Sequence, residues 1–185
     1  MRRAFLAGLC AFVATLPAVS QSKTPRPAMP LEISMPDGTK HTLAQYAGKV
    51  CVVEFLFTTC PHCQESAKVL SRLNFQFSSK GFQALGAAFN DNAMMLIPEF
   101  VRNFNVNYPV GVAPREKTIE FLGYNMMSRL MVPQIAFIDR KGIIRYQSSL
   151  DGNEHLHDEK RMREIIEELL KEPAPAKKTV SFHKK

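Results

Sequence analysis

Residues 50–57 read VCVVEFLF, apolar on both faces of an extended strand and broken only by Glu54. Such a strand needs cover on both sides, so it belongs in the middle of a sheet with a packed layer on each face. Three residues on, the chain reads Cys60-Pro61-His62-Cys63, and residues 61–77 then set Val69, Leu70, Leu73 and Phe77 on one stripe at helical spacing. Pro61 falls in the first helical turn, where a missing N–H costs nothing. A buried strand that runs through two cysteines into a helix limits both the fold and the chemistry.

The rest of the chain alternates strand and helix before it ends in a hairpin. LEISM and TKHTL flank a turn at Asp37-Gly38 and predict a short N-terminal hairpin. FQALGAAFN predicts a second buried strand, with a helix around Pro98 to Asn105, a short strand at YPVGV and a helix near Glu116 to Leu122 opened by Pro114. QIAFIDRKGIIRYQS alternates around a turn at Asp139 to Gly142, an antiparallel hairpin. A last helix over 158–171 turns Met162, Ile165, Ile166, Leu169 and Leu170 inward. The expected fold class is α/β, a central mixed sheet flanked by helices.

The formal charge of +7 invites a nucleic-acid reading, but the excess sits at the two ends. All 17 acidic residues lie between positions 21 and 172, where basic groups nearly match them in number. The body therefore has no surplus with which to track phosphates, and no nucleic acid is expected as a partner. Residues 1–20 have the anatomy of an export signal: Arg2 and Arg3, an apolar run from Ala4 to Leu16, Pro17, and small residues at Ala18 and Ser20. An uncleaved membrane anchor is the alternative. Residues 21–30, with three prolines, read as a linker; 31–172 as the folded domain; and the Pro-, Ala- and Lys-rich 173–185 as a disordered tail. The expected location is exported, in the periplasm or cell envelope, where disulfides are permitted.

Two uses of the cysteine pair compete. A structural zinc site needs about four ligands. Only one C-x-x-C is present, Cys51 lies inside the apolar strand, and His155 and His157 lie far downstream. No resident metal or cofactor is expected. Redox exchange fits the placement better, because the unpaired N–H groups and dipole at a helix N-terminus favour a thiolate, and the thiolate is the nucleophile. Cys60 is then the exposed attacking thiol, and Cys63, one turn in, resolves the mixed disulfide. Cys51 reads as a small core residue. Glu54 is costly to bury, so it either reaches solvent or is kept for a purpose. Met126, Met127 and Met131 either fill core gaps or line an adaptable groove.

The segment VVEFLFTTCPHC resembles the active-site strand and motif of the thioredoxin superfamily, and residues 30–171 resemble its exported TlpA/ResA-like thiol–disulfide oxidoreductases. The likeness takes in the N-terminal hairpin, a central insert after the first βαβ unit, and MVPQIAFIDRKGIIR. It implies a thioredoxin-like fold and a protein thiol–disulfide oxidoreductase, more specifically a reductase fed by a membrane electron-transfer partner and acting on client proteins. It implies that Val132-Pro133 is a cis peptide beside the two sulfurs, with the backbone before Pro133 pairing to a client peptide. It places Glu54 where the family keeps a buried acid beneath the second cysteine, able to take the proton of Cys63. Thr59 stands where the family usually has Trp. The dipeptide Pro61-His62 matches strongly oxidising DsbA-like enzymes, in which the imidazole favours the thiolate, so a DsbA-like oxidant is the alternative. A Sco-like copper carrier fits less well, since that group uses C-x-x-x-C. A peroxidase lacks its Thr, replaced here by Phe57, and a purely binding module has no need of two thiols.

Overall fold

The computed structural model of the protein describes residues 24–151 and 156–174. The export signal expected at 1–20, and the tail from 175 onward, lie outside them. The strands are β1 (Arg26–Pro27), β2 (Glu32–Ser34), β3 (Lys40–Thr42), β4 (Val50–Leu56), β5 (Phe82–Ala88), β6 (Val110–Val112), β7 (Gln134–Ile138) and β8 (Ile143–Gln147). The helices are α1 (Pro61–Phe77), α2 (Ala93–Asn103), α3 (Arg115–Leu122) and α4 (Glu159–Lys171). The strands form one sheet in the order β1-β8-β7-β4-β5-β6-β2-β3. The β4–β5 and β5–β6 pairs are parallel and the other pairings antiparallel, so the sheet is mixed, as expected.

Every residue of β4 is buried, and the side chains alternate between two cores. Val50, Val52 and Leu56 pack with Ala67, Leu70 and Leu73 of α1, Ile97 of α2, and Ile165 and Leu169 of α4. Cys51, Val53 and Phe55 point the other way, toward Phe121 and Leu122 of α3. A fully buried side chain of this kind contributes about 2 kcal/mol, so the double cover holds β4 firmly. The same alternation settles where Glu54 faces: toward α1, on the side of Cys63.

Local sequence explains the turns. In the β7–β8 hairpin, Asp139 Oδ1 accepts from the N–H groups of Lys141 and Ile143 at 2.9 and 3.0 Å. Helix α4 is capped by Asp158, whose side chain accepts from the Arg161 N–H. The central insert, α2 with β6, is built into the sheet, because β6 pairs with both β5 and β2. Gly111 permits this: a Cβ there would lie 2.5 Å from the Ser34 carbonyl oxygen.

Two elements differ from the sequence expectation. Residues 21–30, read as a linker, contribute β1, which pairs with β8 in the register Arg26↔Ile144. The prolines are tolerated because β1 is an edge strand, where Pro27 need not donate. Arg26 anchors it by donating to Phe121 O and Gln147 Oε1, both at 2.7 Å. The folded body therefore begins before residue 31. The helix expected to start near Pro98 instead begins at Ala93 and carries Pro98 inside it, on the exposed face. Pro98 has no N–H to donate to the carbonyl of Met94 one turn back.

Candidate active site

The site begins where β4 ends. Phe57 to Cys60 form a turn closed by the Cys60 N–H donating to Phe57 O at 3.1 Å. Asn90, just beyond β5, accepts from the Thr58 N–H at 3.0 Å, and its own amide donates back to Thr58 Oγ1 at 3.1 Å. Gln64, in the first turn of α1, donates to Thr58 O at 3.1 Å. The rings of Phe57 and Phe89 meet edge to face at 4.7 Å. These contacts fix the loop that delivers Cys60 as the N-cap of α1, with Pro61 at the first helical position. The Cys60 side chain makes no capping hydrogen bond to α1.

Cys60 is half-buried and Cys63 fully buried. The Cys60 thiol lies 3.9 Å from Val132 O and donates toward it. The Val132-Pro133 peptide is cis, and through the Cys60–Val132 contact the loop after β4, the start of α1 and the segment before β7 meet at one sulfur. Pro61 and His62 are exposed, and the His62 ring has no hydrogen bond among the described residues. Thr59 is exposed as well. Met126, Met127 and Met131 are also exposed, so they do not fill the core.

Glu54 lies beneath Cys63 with no exposure. Burial pushes its carboxyl up to about 7, against partial opposition from Ser66 and Tyr108. The Tyr108 hydroxyl donates to Glu54 Oε2 at 3.2 Å, while Glu54 Oε1 and Ser66 Oγ are buried without a hydrogen bond of good geometry. Burial also pushes the Cys63 thiol far above its ordinary range; the Glu54 charge adds to this, and the Phe57 backbone opposes it. Each acid thus disfavours ionisation of the other, and at neutral pH the pair holds at most one negative charge. Cys51 is apart from this chemistry, a core thiol that burial pushes up to about 12.

Tyr108 and Ser66 escape a reading of the sequence. Tyr108 reaches Glu54 from beyond β5, whose residue in register with Glu54 is Gly86. A Cβ on Gly86 would lie 2.9 Å from Val110 Cγ2, so the sheet surface under this bond is closely packed. Ser66 could have been found, since it lies one helical turn past Cys63 on the same face.

Burial of Glu54 has a stability consequence of definite sign. Its ordinary value is 4.5 and its folded-state value about 7, so the folded protein binds this proton more tightly. The resulting stabilisation is fully present below the unfolded value and is lost as pH rises through the folded one. The change amounts to about 3 kcal/mol. In urea denaturation, Glu54→Gln should gain about that much on the parent between about pH 4 and about pH 8. A difference independent of pH would mean that Glu54 titrates alike in both states.

The chain matches the Redoxin family over residues 15–166. No curated protein matches it. Among solved structures it is similar to a thiol:disulfide interchange protein of the thioredoxin family from Chlorobium tepidum TLS, with a TM-score of 0.66 and 23% identity over 80% of this chain and 99% of that one. A thiol:disulfide interchange protein from Bacteroides sp. gives a TM-score of 0.67 and 17% identity over 89% and 99%. The thioredoxin domain of a thiol-disulfide oxidoreductase from Bacteroides vulgatus gives 0.63 and 16% over 78% and 99%. These likenesses carry the fold, and the family match covers most of the chain. The protein has the thioredoxin-like fold expected of a TlpA/ResA-like chain, and it belongs to the Redoxin family.

Proposed function

We propose that this thiol–disulfide oxidoreductase works in the cell envelope as a reductase of client-protein disulfides, with Cys60 attacking and Cys63 resolving. The observation that carries the reading is the asymmetry of the pair. Cys60 is reachable and lies against Val132 O, whereas Cys63 is sealed above a buried carboxyl. In the first step the Cys60 thiolate bonds to one sulfur of a client disulfide, and the other client sulfur leaves as a thiolate and takes a proton. The client segment replaces the Cys60 thiol at the backbone before Pro133. In the second step Cys63 passes its proton to Glu54 and attacks the Cys60 sulfur. The Cys60–Cys63 disulfide forms and the client's first sulfur leaves. Two electrons have then moved from enzyme to client, and an envelope dithiol or membrane electron donor must return two electrons and two protons.

The direction follows from which form the surroundings favour. Stabilising a thiolate stabilises the reduced pair and makes it an oxidant. Here burial and the Glu54 charge act against a Cys63 thiolate, and the exposed His62 ring makes no hydrogen bond among the described residues. Cys63 is a neutral thiol at physiological pH in either case, so the weight falls on His62. With no contact among the described residues that holds the imidazole at Cys60, it adds no thiolate stabilisation, which favours a reductant over the DsbA-like alternative suggested by Pro61-His62.

Two measurements test the reading. Cys63→Ser should trap mixed disulfides with client proteins and Cys60→Ser should not; equal trapping by both would overturn the roles. Equilibration of the parent with glutathione should place the pair nearer about −270 mV than about −120 mV. That interval corresponds to roughly 7 kcal/mol for two electrons, so a value at the oxidising end would reverse the proposed direction.

A further inference from the structure

The segment that carries Tyr108 is pinned from two sides. The Asn107 amide donates to Ser71 O at 2.9 Å, and the Asn74 amide donates to Asn107 O and Oδ1 at 3.3 and 3.2 Å. Helix α1, which carries Cys63, therefore also holds the residue before Tyr108. On the other side Pro109 O accepts from the Gly86 N–H at 2.9 Å, and Gly86 is the residue of β5 in register with Glu54. A fixed backbone thus delivers Tyr108 to Glu54, with its ring in the core between the sheet and α1. The carboxyl it meets is held unevenly. Oε2 accepts from the Tyr108 hydroxyl at 3.2 Å, while Oε1 is buried without a hydrogen bond of good geometry.

A donor binds a carboxylate more strongly than a neutral carboxyl, so it favours the charged form that can accept a proton. It also draws electron density from the oxygen it touches, which leaves the other oxygen the more basic. Among the described residues the titratable groups on this space are Cys63 of α1 and Tyr108 itself, with Cys60 beyond Cys63. Strands β5 and β7 present only Gly86 and Ile135 in register, and α2 and α4 turn Ile97, Ile165 and Ile166 into the same layer. We infer that Tyr108 is a positioning residue for the exchange: its hydroxyl keeps Glu54 available as a carboxylate and leaves Oε1 as the oxygen that takes the Cys63 proton. The inference rests on Glu54 being the proton acceptor in the proposed reaction. In that step the Cys63 S–H bond breaks, its proton bonds to Oε1, and its electron pair forms the bond to the Cys60 sulfur. The client sulfur leaves with the electron pair of the mixed disulfide. Oε2 becomes the carbonyl oxygen of the neutral acid and keeps the same hydrogen bond, so the transfer needs no rearrangement of Tyr108.

The test reads the carboxyl apart from the exchange. Tyr108→Phe keeps the ring and removes only the hydroxyl. Ionisation of Glu54 is followed by NMR of isotopically labelled glutamate carboxyls in the reduced protein, with Glu54→Gln identifying the signal. In Tyr108→Phe the Glu54 midpoint should rise by about one pH unit, the scale of a hydrogen bond to a charged group. A fluorinated tyrosine at position 108 keeps the hydroxyl as a stronger donor and should move the midpoint down. Resolution of a preformed mixed disulfide on Cys60 should slow about tenfold at about pH 6 in Tyr108→Phe, and the gap should close above about pH 9. A midpoint unmoved by either change, or slowing by the same factor at both pH values, would overturn the inference and leave Glu54 as the acceptor. Parental resolution in Glu54→Gln at neutral pH would refute the proton-acceptor reading itself, and the inference with it.

Discussion

Two buried acids share one apolar space between the sheet and α1, and the rest of the structure is arranged around them. Glu54 has no exposure, Cys63 has none, and each raises the cost of a charge on the other. A carboxylate held this way would be expensive in a domain whose net stability is about 5–15 kcal/mol. It is kept tolerable because burial raises the carboxyl to about 7, so that it is often neutral at physiological pH. The same value lets it take a proton at the pH where the thiol must lose one. The cost in stability and the capacity for proton transfer thus have one cause.

The frame supports this couple from several directions. Alternation along β4 turns Glu54 toward α1 while Val53 and Phe55 seal the opposite face. Helix α1 carries Ser66 near the carboxyl, and the segment before β6 brings the Tyr108 hydroxyl to Glu54 Oε2. The outer thiol is governed by different groups. The Thr58–Asn90–Gln64 bonds set the loop, and Val132 O stands against the sulfur. One sulfur therefore answers to the surface and the other to the core. In the proposed reaction, exchange between the two would connect client binding to buried proton transfer.

Much of this was legible in the sequence because it is local. The pattern of VCVVEFLF, the helical stripe after Cys63, the Asp37-Gly38 turn and the Asp139 to Gly142 turn are each carried by a few adjacent residues, and the structure places strands, helix and hairpins there. Resemblance supplied the cis Val132-Pro133 peptide and the side on which Glu54 lies. What could not be read depends on distant segments meeting. Tyr108 gains its role only because β6 lies beside β5, so that its hydroxyl reaches across to β4. Strand β1 was hidden because prolines mark linkers and edge strands alike, and the pairing partner lies more than a hundred residues away.

The account stands on Glu54 accepting the proton of Cys63 as that thiol attacks. The most direct measurement is the rate at which a preformed mixed disulfide on Cys60 resolves, followed against pH in the parent and in Glu54→Gln. The parent rate should climb with ionisation of a group near the value of about 7 set by burial of Glu54. Glu54→Gln should be slower by about a hundredfold at neutral pH, the scale of one general base, and should lose that inflection. Parental rates in Glu54→Gln from about pH 5 to about pH 8 would contradict the account and leave Glu54 a buried acid without a part in the exchange.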